Sequence, residues 1–296
     1  MIELENITKA FKEDINVSKK NILENINLNL KPGKIYGLFG KNGSGKTSIL
    51  KIIMGLIKAD YGKLKFLNSN LRFSEISFSS EKMDFFPDLT CNDFFYTIKE
   101  IHSIPKYSFE KKVKSLSKIF ELEKFLNIKL KNFSQGMLKK ASFIASLLNE
   151  PKFILLDEPF SGLDQDARII LKNEINKFKR KGGGVLLTSH MFDDVSPMID
   201  DWFYIKKGKI IDSSFEVSNS IRSDFDLYNI EVLVPKEEIE FTKNEVSRNL
   251  NRYNFNIPEN EKEVFIKEVI SKGCHVESVI SNKLKLSDHF LTLEDR

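Results

Sequence analysis

Gly40-Lys41-Asn42-Gly43-Ser44-Gly45-Lys46-Thr47 has the spacing G-x-x-x-x-G-K-[ST], set between the apolar run Ile35 to Phe39 and the helix-forming Ser48 to Met54. That order suits the phosphates of a nucleotide. Glycines let backbone amides close on phosphate oxygens, and the helix behind the loop adds the positive end of its dipole. The ligand set is therefore Gly40, Asn42, Gly43, Ser44, Gly45, Lys46, Thr47 and Ser48, with Lys46 reaching the β- and γ-phosphates and the Thr47 hydroxyl offered to Mg²⁺. A second reactive pair, Asp157-Glu158, follows the apolar Phe153-Ile154-Leu155-Leu156. A carboxylate at the carboxyl end of a parallel strand beside such a loop can hold the metal, which suits Asp157. Glu158, the next acid, is placed to polarise water for in-line attack on a γ-phosphate.

These groups need a scaffold, and the apolar pattern supplies one. Ile35 to Phe39, Phe153 to Leu156 and Val185 to Leu187 are short continuous apolar runs, as expected of strands buried on both faces of a largely parallel sheet. After Ser134, residues Met137, Ala141, Ile144, Ala145 and Leu148 fall on one helical stripe that Pro151 ends. A second helix turns Leu171, Ile175 and Phe178 inward and stops at Gly182-Gly183-Gly184. Residues 82–150 are mostly helix-like with charged faces, a helical insert in an α/β core. The polar Lys12 to Lys20 stretch reads as a long hairpin loop.

Near residue 214 the character changes. Asp212-Ser213-Ser214 and Ser218-Asn219-Ser220 form a linker, giving domains 1–214 and 215–296. The smaller has strand candidates at Ile230 to Val234 and His275 to Ile280, helix candidates at Glu237 to Leu250 and Glu261 to Lys272, and a stop at Gly273.

The 296 residues are 41% hydrophobic, ample for a buried core, and 46 Lys+Arg against 42 Asp+Glu leave a net charge of +4. Such a small excess is no electrostatic footprint for nucleic acid. No apolar run approaches the ~20 residues of a bilayer span, and the acidic start Met1-Ile2-Glu3-Leu4-Glu5 is unlike a secretory signal, so the expected location is the cytosol. Cys91 and Cys274 lack C-x-x-C spacing and point to neither a disulfide framework nor a zinc site; Cys274-His275 has no nearby metal-ligand partners in sequence.

Further motifs carry a resemblance. Phe133-Ser134-Gln135-Gly136-Met137 lies shortly before the acidic strand, Ser161-Gly162-Leu163-Asp164 follows it, and His190 ends the next strand. In this order the chain resembles the ATP-binding cassette family of transporter ATPases over about residues 1–212. There the family has its signature L-S-G-G-Q, its D-loop and its switch histidine. The resemblance implies an α/β fold: a P-loop NTPase core with a mainly parallel sheet, an antiparallel β subdomain and an inserted α-helical subdomain, here with a small C-terminal α+β appendage. It further implies a dimer that traps two ATP molecules. Lys46, Thr47, Asp157 and Glu158 of one chain would face Ser134, Gln135 and Gly136 of the other, with His190 at the γ-phosphate and Asp164 linking the two sites. Phe11 stands where the family keeps an aromatic that stacks on adenine, or else is a core aromatic.

Three departures stand out. Glu81 replaces the family's glutamine, where a carboxylate could see Mg²⁺ or its water while adding negative charge beside the γ-phosphate. The signature has Gln135 and Met137 for glycine and glutamine, and Lys140 replaces the arginine that often follows. Signatures with Met occur in the branch serving drug, peptide-antibiotic and lantibiotic exporters, and Leu286-Ser287-Asp288-His289-Phe290-Leu291 is similar to the L-E-D-x-F-L element ending many of its ATPases. The expected function is a peripheral ATPase subunit, homodimeric or heterodimeric, on the inner face of the membrane. It would drive a separately encoded permease that exports a peptide, antibiotic or other amphipathic compound, with the insert and residues 81–90 on the permease's loops. The alternative is a soluble cassette ATPase acting on ribosomes or nucleic acid, although this chain has neither a second cassette nor a coiled-coil insert. A cassette that has lost hydrolysis is a third reading, supported by Glu81.

Overall fold

The computed structural model describes residues 1–11, 20–66, 72–80, 86–190, 195–213, 226–234, 239, 241, 247–249 and 251–283. The chain forms two compact units, Met1–Ser213 and Ser214–Arg296. In the first, β1 (Ile2–Phe11) and β2 (Lys20–Leu30) form an antiparallel pair that closes at Phe11 opposite Lys20. The chain then enters β3 (Ile35–Phe39), passes the glycine-rich loop into α1 (Lys46–Ile53), and returns along β4 (Tyr61–Phe66) to pair with β1. Next come β5 (Ile76–Ser79), α2 (Cys91–Ile101), α3 (Lys106–Ile119), α4 (Gln135–Leu148), β6 (Phe153–Leu156), α5 (Gln165–Arg180), β7 (Gly184–Ser189), β8 (Asp201–Lys206) and β9 (Lys209–Ser213).

Two sheets result. One is antiparallel, ordered β2-β1-β4; the other, ordered β5-β6-β7-β3-β8-β9, is parallel except for β9 at its edge. β3, β6 and β7 are buried at every position, which explains their near-continuous apolar runs. Residues of both sheets and α1, among them Ile2, Leu28, Leu38, Ile49, Ile53, Leu155 and Leu186, join one apolar core. This core fixes the carboxyl edge of the parallel strands, where α/β sheets present ligands.

β7 extends beyond Val185 to Leu187 at both ends. Gly184 pairs with Phe153 and Ser189 with Phe39, so polar residues enter the ladder where it meets the loop. α4 also departs from a single apolar stripe. Ala141 through Ser146 are all buried, because α4 packs on β5 and on α2 and α3, with Phe143 edge-on to Phe120. In α5, Ala167, Leu171 and Ile175 are buried and Phe178 is half-buried; Gly182 supplies the left-handed turn (φ 89°) that ends the helix.

The second unit contains β10 (Asp226–Leu233), β11 (Ser247–Asn249), β12 (Arg252–Pro258), α6 (Glu259–Ser271) and β13 (His275–Lys283). Its antiparallel sheet is ordered β11-β12-β10-β13. Ile230, Val232, Tyr253, Phe255 and Ile257 pack with Phe265 and Val269 of α6. The expected helix at Glu237 to Leu250 is corrected in part: Ser247–Asn249 is a strand on β12, and Ile239 and Phe241 pack on the core outside any helix. Cross-strand pairing overrides the local helical pattern there. The rest of that segment, the hairpin residues 12–19, the linker 214–225, Glu81 and Leu286 to Leu291 lie outside the described residues. Among the described residues no helix is long and apolar enough to cross a membrane.

Both cysteines are buried and unbridged. Burial pushes the Cys91 thiol up to about 12, and it raises Cys274 more than the nearby Lys272 lowers it. Ellman's reagent at pH 8 is expected to leave the native chain unmodified and to titrate 2 thiols once denaturant exposes them. A rapidly reacting thiol in the native chain would contradict this packing.

Candidate functional site

The glycine-rich loop is held in backbone conformations that side chains resist. Gly40, Gly43 and Gly45 have φ of 147°, 78° and 112°, and a Cβ at Gly40 would stand 2.2 Å from the Ile205 carbonyl oxygen. The Ser44 amide donates to Lys41 O (3.1 Å), and Gly208 N donates to Ser44 O (3.1 Å). Asn42 and Gly43 are exposed, Ser44 and Gly45 are buried, and Thr47 and Ser48 are half-buried in the first turn of α1.

Lys46 is buried, with Nζ donating to Gly40 O (2.6 Å) and Lys41 O (3.1 Å) and standing 3.9 Å from Glu158 Oε1. Thr47 Oγ1 donates to Asp157 Oδ2 at 2.8 Å. The other oxygen of Asp157 accepts from Thr188 Oγ1 (2.7 Å), and the same hydroxyl accepts the Glu158 amide (2.9 Å). His190 Nδ1 lies 2.8 Å from Glu158 Oε2, with the ring half exposed. One constellation at the carboxyl ends of β3, β6 and β7 thus gathers Gly40, Lys46, Thr47, Asp157, Glu158 and His190.

The remaining described candidates sit apart from this constellation. Ser134 caps α4, its Oγ accepting from Met137 N at 3.2 Å, and both Ser134 and Gln135 are exposed. Gly136 packs beside the Gly162 carbonyl, where a Cβ would approach to 3.3 Å. Asp164 caps α5 by accepting from Ala167 N (2.8 Å), a helix-end role alongside the expected one. Phe11 is the last residue of β1, and Glu81 lies outside the described residues.

Two observations test whether these residues fit a metal-bound nucleotide. Among the described residues, Ser44 Oγ and Glu158 Oε1 are buried without a hydrogen-bond partner. Such groups cost free energy until a ligand meets them. The donor set is also apt: a lysine and loop amides for phosphate oxygens, a hydroxyl and a carboxylate for a hard divalent cation. Thr188 was missed from sequence because only the register Leu156 opposite Leu187 brings it beside Asp157.

The sequence profile described as ABC transporter matches residues 23–161. The lantibiotic transport ATP-binding protein SrtF of Streptococcus pyogenes is 30% identical over 240 residues, covering 80% of this chain and 99% of the relative. This chain belongs to the ABC transporter ATP-binding family. An ABC transporter ATP-binding protein of Bacillus subtilis, YybJ, is 30% identical over 217 residues, 71% of this chain and 94% of its own. Among solved structures, a dimeric ATP-binding cassette in a post-hydrolysis state with ADP and Pi superposes with a TM-score of 0.64 at 25% identity, covering 72% of this chain and 98% of that one. An ATP-binding subunit of an ABC transporter superposes with a TM-score of 0.66 at 24% identity, covering 72% and 89%, and supports the fold. The chain is accordingly an ABC-type ATPase subunit, and it binds and hydrolyses ATP.

Thr188→Val keeps the volume but leaves Asp157 Oδ1 and the Glu158 amide without their shared partner. A loss of about 1–3 kcal/mol in chemical denaturation is expected; unchanged stability would show that the hydroxyl does not hold the two acids.

Proposed function

We propose that this ABC ATPase works as a nucleotide-sandwich dimer beneath a separately encoded membrane permease. The observation that carries the reading is the division of candidate residues within one chain. Lys46, Thr47, Asp157, Glu158 and His190 are already joined, whereas Ser134 and Gln135 stand exposed at a helix tip. The amides and hydroxyl of that tip form an anion site that a partner's γ-phosphate could fill. The dimeric form of the solved relative supports the pairing.

Within each site, Thr47 and Asp157 would hold Mg²⁺, which supplies charge compensation to the phosphates. Lys46 would trade its bonds to Gly40 O and Lys41 O for phosphate oxygens. Glu158 would accept a proton from the attacking water through Oε1, the oxygen that carries no hydrogen bond, while His190 steadies Oε2. Asp164, next to Gly162 and Leu163, would relate the two sites across the interface. Export of a peptide or other amphipathic compound is supported by the lantibiotic transport role in the name of SrtF. The subunit would then sit peripherally on the inner membrane face, with the α2–α4 insert against the permease.

Lys46→Ala is expected to abolish ATP binding in a fluorescent-nucleotide titration. Glu158→Gln is expected to retain binding and accumulate an ATP-trapped dimer on size exclusion; full turnover by this variant would remove Glu158 from its role.

A further inference from the structure

Besides its apolar surface, α4 carries a polar stripe. Lys139, Ser142 and the C-cap residue Asn149 share one side of the helix, and each bonds to β5 or to the turn that follows β6. Ser142 Oγ and Ser79 Oγ share a buried hydrogen bond of 2.8 Å, Ser77 Oγ donates to Asn149 Oδ1 at 2.9 Å, and Lys139 Nζ donates to the Glu158 carbonyl oxygen at 2.6 Å. The same helix has Ser134 at its tip.

The Glu158 end of the lysine bond is unusual. Its φ is 47°, a left-handed conformation that a residue other than glycine seldom adopts. The following Pro159 also steers the residue before it toward extended backbone. Such a conformation persists only where the surroundings over-determine it. Thr188 Oγ1 holds the amide, and Ser161 N (3.3 Å) and Lys139 Nζ hold the carbonyl. Of these restraints Lys139 alone carries charge, which makes its bond the strongest in kind, and it alone comes from the helical insert.

We propose that Lys139 is a positioning residue: its ammonium group clamps the Glu158 backbone to α4 and so aims the Glu158 carboxylate. It acts through Glu158, and the inference rests on the role given to that residue under Proposed function. In the sandwich dimer the clamp joins the Ser134 tip, which a chain lends to its partner's nucleotide, to the acid it keeps for its own. Closure on one ATP is thereby conveyed to the other site.

The test compares full-length Lys139→Met and Lys139→Arg in steady-state ATP hydrolysis and thermal unfolding. Lys139→Met is expected to lower kcat at least tenfold, about 1.4 kcal/mol, with KM within about twofold and a Tm lower by only about 2–4 °C, the cost of one lost bond. Lys139→Arg, which keeps a charged donor, is expected to recover most of the rate. Wild-type kcat in Lys139→Met would overturn the proposal. So would a rate loss accompanied by raised KM and a larger fall in Tm that Lys139→Arg does not recover, since that is a packing defect. Glu158→Gln assayed alongside separates the two layers. If it turns over ATP normally, the Glu158 assignment fails and takes the clamp with it; if it is inactive while Lys139→Met is fully active, the clamp alone fails.

Discussion

Two carboxylates buried side by side at the end of β6 are the constraint around which this subunit is built. Asp157 and Glu158 are 4% and 7% exposed, so water cannot stabilise their charge and neighbouring groups must do so. Thr47, Thr188, His190 and Lys46 each come from a different position along the chain, and the parallel sheet is what brings them together. β3 delivers the loop with Lys46 and Thr47, β6 the acids, and β7 Thr188 and then His190. A shift in register between β6 and β7 would remove Thr188 from both acids at once.

α4 extends that constraint into the helical insert. It is buried around most of its circumference and fastened along β5 by hydroxyl and amide contacts, so it cannot rotate without breaking one buried and one half-buried polar bond. Its amino-terminal tip, by contrast, faces outward. A rigid rod with one end in the core and the other at the surface suits the nucleotide-sandwich dimer proposed above.

The sequence was most legible where function and local structure share a few consecutive residues. The Gly40 to Thr47 spacing, the apolar runs of β3 and β6 and the acids after β6 need no tertiary information. Thr188 and Lys139 were illegible for the opposite reason. The first matters only through the pairing of β7 with β6, and the second reaches a carbonyl 19 positions along the chain from a helix whose apolar side dominated the pattern. In the second unit, Tyr253, Phe255 and Ile257 alternate with polar neighbours and announced a strand that was overlooked, while Ser247–Asn249 belongs to the sheet only because β12 is there to pair with it.

The strained turn at Glu158 bears on how such a subunit could be made hardier. A left-handed glutamate ahead of proline, with one buried carboxylate oxygen lacking a hydrogen bond, is poorer for the resting fold than many replacements that would relax the backbone. Selection for heat resistance alone would press on that position, and with Glu158 in the role proposed for it above the sturdier cassettes so obtained would be inert.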